Sequence, residues 1–113
     1  MRFRTSQPPS GRTVTVIDLD EASDLEVARF VEDVPAADLV VMVVSAGRDA
    51  RAAEAIGRAC SDRRVMTQTI VLRPKSVSSE ALSGTLAQVR PWSLMLVVAS
   101  DAAYVEDILS SFR

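Results

Sequence analysis

The chain predicts an α/β fold, and three observations carry that expectation. Leu39-Val40-Val41-Met42-Val43-Val44 is apolar at every position, as a strand covered on both faces must be, and such cover is the habit of parallel sheets. The run breaks at Ser45-Ala46-Gly47-Arg48-Asp49 and continues as an Ala-rich helix, the strand–turn–helix joint of parallel folds. The same alternation recurs four times with short joints, which implies parallel strands linked by right-handed crossovers. The expected architecture is a small parallel four-stranded sheet with four helices, a Rossmann-like sandwich of two or three layers.

Met1–Arg12 holds Pro8-Pro9, Ser10-Gly11 and scattered arginines, and is read as a flexible arm. Residues 13–113 are read as a single α/β domain. Thr13-Val14-Thr15-Val16-Ile17-Asp18 is β-branched and alternating, a half-buried first strand. Ser23-Asp24-Leu25-Glu26 has the spacing of a capping box. Val27, Phe30, Val31 and Val34 follow at helical intervals until Pro35 ends the segment. Leu39–Val44 is the second strand. The helix after it starts at or near Asp49 and sets Ala52, Ala53, Ile56, Ala59 and Cys60 on one face. Val65–Leu72 is the third strand, with Met66, Ile70 and Leu72 on one side and Thr67 and Thr69 on the other. A helix near Ser79–Val89 carries Leu82, Leu86 and Val89, weakened by Gly84, and Arg90-Pro91 stops it. Ser93–Ala99 is the fourth strand. Ser100 or Asp101 opens a last helix with Val105, Ile108, Leu109 and Phe112 as its stripe.

With 113 residues the chain has the size of one domain, and 48% hydrophobic but only 4% aromatic content assigns its core to aliphatic side chains. Thirteen basic and fifteen acidic residues give a net charge of −2, with no basic surplus to draw nucleic acid or an anionic membrane. There is no histidine, which removes the usual general base, the usual zinc ligand and every Ser/His or Cys/His pair. Cys60 is the single cysteine, so no intramolecular disulfide or CxxC motif exists, and it reads as a small core residue. No run approaches the roughly 20 apolar residues of a membrane span. The expectation is a soluble, cytoplasmic protein with no metal and no cofactor, and little in the residues to support an enzyme.

Ala37-Asp38-Leu39-Val40-Val41-Met42, Ile56–Thr67, Val71-Leu72-Arg73-Pro74-Lys75 and Val89–Ser100 together resemble part of the nucleotide-binding domain of the tubulin/FtsZ superfamily, over about two-thirds of the chain. The resemblance implies a parallel α/β fold. That family wraps phosphate with a GGGTGTG loop, whereas this chain has Gly47-Arg48-Asp49-Ala50-Arg51-Ala52. Only Gly47 is retained, so the resemblance does not extend to GTP hydrolysis. Walker and GxGxxG motifs are also absent.

Ligands of open parallel sheets sit beyond the carboxyl ends of the strands. Those ends supply Asp18, Asp20, Ser45 to Asp49, Arg73, Lys75, Ser100 and Asp101. Ser45, Gly47, Arg48 and Asp49, with Asp18 and Asp101 beside them, form the candidate ligand site, where helix N–H groups and the Arg48 guanidinium would receive a small anion. The plain alternative is a tight turn with Asp49 as N-cap, Arg48 in solvent, and Asp18 and Asp20 shaping a loop. An acidic pair with a lysine resembles the phosphoacceptor site of response-regulator receivers, but those place the lysine after their last strand, and Lys75 follows the third. Trp92 reads as a packing anchor or interface residue, and Arg51, Arg58, Arg63 and Arg64 as a solvated basic stripe.

Sequential assembly allows strand order 1-2-3-4 or 2-1-3-4. In the first, right-handed crossovers put three helices on one face, leaving only the last helix for the other. Exposed apolar sheet costs about 25 cal/mol per Å², and a large patch of it marks an interaction surface. The leading functional expectation is therefore a non-catalytic domain that forms a homo-oligomer (a dimer) or docks on a protein partner. Binding of a small molecule or nucleotide at 45–49 is the alternative.

Overall fold

The structure is a computed structural model that describes residues 3–6 as backbone and residues 14–34 and 38–100 in full. Five strands and three helices follow one another as β1 (Phe3–Ser6), β2 (Val14–Asp18), α1 (Asp24–Glu32), β3 (Leu39–Ser45), α2 (Ala52–Asp62), β4 (Met66–Leu72), α3 (Ser79–Val89) and β5 (Met95–Ala99), with a 3-10 turn at Arg90–Trp92. The sheet order is β1-β2-β3-β4-β5. Strands β2 to β5 are parallel, with Val16 beside Val41, Val41 beside Gln68, and Ile70 beside Val97. The α/β class and the four-stranded parallel sheet are those the sequence predicts, in the 1-2-3-4 order. Part of the stretch read as a flexible arm is strand: β1 pairs antiparallel with β2, Arg4 opposite Val16, on the free ladder that β2 offers. The expected fourth helix, with Asp101, lies outside the described residues.

Local chemistry sets the element ends. Ser23 caps α1 through a complete capping box, its Oγ accepting from Glu26 N–H at 3.2 Å while Glu26 Oε1 accepts from Ser23 N–H at 3.3 Å. Ser78 Oγ caps α3 by accepting from Ala81 N–H. Helix α2 begins at Ala52, later than Asp49, and Arg51 at its cap makes no side-chain capping bond. Asp49 instead accepts the Arg51 N–H at 3.0 Å, forming an Asx turn that leads into the helix.

All three helices share one core. Phe30 of α1, Ile56 and Cys60 of α2 and Val89 of α3 are buried with Ile17, Met42, Val44 and Val71 of the sheet. The alanines of α2 let it approach closely, and Gly57 admits Trp92. The opposite sheet face carries Val14, Leu39, Val41, Val43, Ile70 and Ala99. The centre of that face is not open as its composition led us to expect: Val41 and Ile70 are 0% exposed within the chain. Exposed large apolar side chains of the sheet are Met66, Leu94, Met95 and Val98, with Leu25 exposed on α1 as well, and among the described residues β5 pairs on one side only.

Candidate functional site

The carboxyl rim gathers Asp18, Asp20, Ser45, Gly47, Arg48 and Asp49 from the ends of β2 and β3. Asp18 turns inward on its own loop, its Oδ1 accepting from Asp20 N–H at 2.9 Å. Burial pushes the Asp18 carboxyl above its ordinary value, and that hydrogen bond offsets only part of the rise, to which the charges of Asp20 and Glu21 also contribute. Asp20 reaches across to β3, both carboxylate oxygens accepting from Ser45 N–H at 3.1 Å. Its carbonyl receives a long bond of 3.4 Å from the Arg48 guanidinium.

Most backbone donors of the turn after β3 are engaged by the protein itself. Ala46 N–H donates to the Leu72 carbonyl and Arg48 N–H to the Ser45 carbonyl. Gly47, at φ +89°, donates to Thr85 Oγ1 at 2.9 Å. Thr85, buried on α3, donates its own hydroxyl to the Arg48 carbonyl at 3.1 Å. Ala50 N–H donates to Gln88 Oε1 at 2.7 Å, and Gln88 Nε2 donates to Asp49 Oδ1 at 2.9 Å. The Gln88 amide, then the Arg51 N–H and the Arg51 charge, hold the Asp49 carboxyl below its ordinary value. Arg51 also pairs with Asp49 at 3.2 Å. An anion arriving at this rim would meet backbone donors that are mostly committed and two carboxylates, Asp20 and Asp49. The open depression beside the turn, about 480 Å³, is lined by Gly47, Arg48, Asp49, Gly84, Thr85 and Gln88.

Thr85 and Gln88 are the residues that sequence reasoning missed. Thr85 sits within the apolar stripe of Leu82, Leu86 and Val89, and a hydroxyl there was the available signal, since a buried hydroxyl seeks a partner. Thr67 and Thr69 are strand residues that also hold the turn before β5. Thr67 Oγ1 donates to the Trp92 carbonyl at 2.6 Å, and the Thr69 and Ser93 hydroxyls share a hydrogen bond.

A second groove of about 490 Å³ opens at the amino ends of β4 and β5, against Gly57, Arg64, Met66, Thr67, Trp92 and Leu94. Trp92 is half-buried against the main core, and the Arg58 guanidinium stands 5.1 Å from its ring centre. The basic stripe resolves into separate surface contacts: Arg58 also pairs with Glu54, and Arg63 donates to the Glu32 carbonyl. Cys60 is a free, fully buried thiol, and burial pushes it up to about 11. Among the described residues no group of three His, Cys, Asp or Glu side chains could hold a metal ion, and no helix is long and apolar enough to cross a membrane. Compared with protein-family models, with curated proteins and with solved structures, the chain matches none.

Proposed function

We propose that this chain is a non-catalytic α/β domain that works through protein association, with itself first, and that it does so in the cytoplasm. The observation that carries the reading is the corner at β5. Leu94 is 69% and Met95 58% exposed, with Met66 and Val98 beside them, and no charged residue lies between Pro91 and Ser100. Apolar side chains exposed along an edge strand are a usual mark of an interface. The inert buried Cys60 fits a reducing compartment.

Sedimentation velocity across a micromolar to submillimolar series tests it. The expected result is a weight-average mass that rises with concentration, and a stable monomer throughout counts against self-association. The alternative, anion binding at Ser45–Asp49, has less behind it, because Asp20, Thr85, Gln88 and Asp49 occupy most of the backbone donors there. A rise in melting temperature with phosphate or nucleotides that Arg48→Ala abolishes would favour it instead.

A further inference from the structure

We infer that the partner at this corner is a second copy, and that two β5 strands pair antiparallel about a twofold axis at Val97, joining two five-stranded sheets into one of ten. The inference rests on the association reading above and specifies its geometry. Natural edge strands are guarded by charge, proline or a bulge. From Met95 to Ala99 this edge has neither charge nor proline, and its register with β4 runs through Gln68↔Met95 to Leu72↔Ala99 without interruption. The Ala99 carbonyl accepts from Arg73 N–H on the β4 side. Strand alternation therefore turns the N–H and C=O groups of Leu96 and Val98 outward, where a further strand would meet them.

Side-chain size and charge both favour an identical partner. Centred on Val97, antiparallel pairing sets Met95, 58% exposed, opposite Ala99, 1% exposed, a long side chain against a short one. It sets Leu96 opposite Val98 on the helix face. Because the axis is normal to the sheet, both α3 helices stay on one face and run antiparallel. The exposed Glu80 in the first turn of α3 then lies at the same end of the interface as the partner's Arg90, at the opposite end of its helix. This contact is isologous and closes at two copies.

Cysteine cross-linking and sedimentation test the geometry on the full chain. Opposed residues of a non-hydrogen-bonded antiparallel pair lie about 4.5 Å apart at Cα, within disulfide reach. Val97→Cys should therefore give a covalent dimer under mild oxidation, while Val98→Cys, which meets Leu96 rather than itself, should give little. Cys60 is buried and adds no background. Val98→Lys should weaken the wild-type dimer by about tenfold or more with unchanged circular dichroism. Glu80→Arg should weaken it too, and Glu80→Arg with Arg90→Glu should restore it. A wild-type dimer that resists Val98→Lys and leaves Val97→Cys uncross-linked overturns the β5 geometry while self-association stands. Growth beyond a dimer also overturns the geometry alone. A wild-type monomer at every concentration overturns both.

Discussion

Gly57 and Trp92 occupy one space between them: a β-carbon built on Gly57 would lie 2.5 Å from the β-carbon of Trp92. The 3-10 turn at Arg90–Trp92 is thereby seated on α2. Thr67 fixes the same turn from the sheet side through the Trp92 carbonyl, and β5 emerges from it, paired among the described residues with β4 alone.

Gly57→Ala should therefore destabilise the fold despite alanine's better helix propensity. Displacing Trp92 costs about 1–3 kcal/mol, against a propensity gain of about 1 kcal/mol. Gly84 offers the opposite case on α3, since a β-carbon there meets nothing within 4 Å. Gly84→Ala should stabilise by about 0.5–1 kcal/mol. Urea unfolding followed by Trp92 fluorescence checks both, and a stable Gly57→Ala protein would refute the close seating.

Thr85→Val should cost about 1–3 kcal/mol, because the Gly47 N–H and the Arg48 carbonyl both lose their partner. Thr85→Ser keeps the hydroxyl and should lose less. Thermal melts of the two variants separate the hydrogen bonds from the methyl packing. A Thr85→Val protein as stable as wild type would mean that the hydroxyl contributes nothing there.

Ser23→Ala removes the acceptor for Glu26 N–H at the start of α1 and should lower stability by about 1 kcal/mol. Ser23→Asp retains an acceptor and should recover most of it. A chemical denaturation series on the three proteins gives the comparison.

Asp18 and Asp49 should pull the pH dependence of stability in opposite directions. Asp49 is held below its ordinary value, so its contribution is present above the ordinary carboxylate range and disappears as pH falls through the lowered value. Asp49→Asn should therefore fall behind wild type at neutral pH and converge with it in acid. Asp18 is raised by burial, so its contribution is present in acid and is lost as pH rises through the raised value. Asp18→Asn should be the more stable protein at neutral pH and lose that advantage in acid. Melting temperatures from pH 2.5 to pH 7 read both signs, and curves parallel to wild type would show that neither shift exists.

The sequence by itself determined the α/β class, the capping box at Ser23, the span Ser79–Val89 and the inward faces of β3 and α2. Each of these is written in spacings of two to four residues, and backbone geometry turns such spacings directly into strands and helix stripes. Tertiary structure alone decided between the two strand orders, drew Phe3–Ser6 into the sheet and buried Val41 and Ile70. It also spent the donors of the Gly47 turn, because Thr85 and Gln88 lie 38 residues from the N–H groups they accept. No local pattern encodes a hydrogen bond across that distance. It forms when the packing of α3 against the sheet brings the two side chains to the rim.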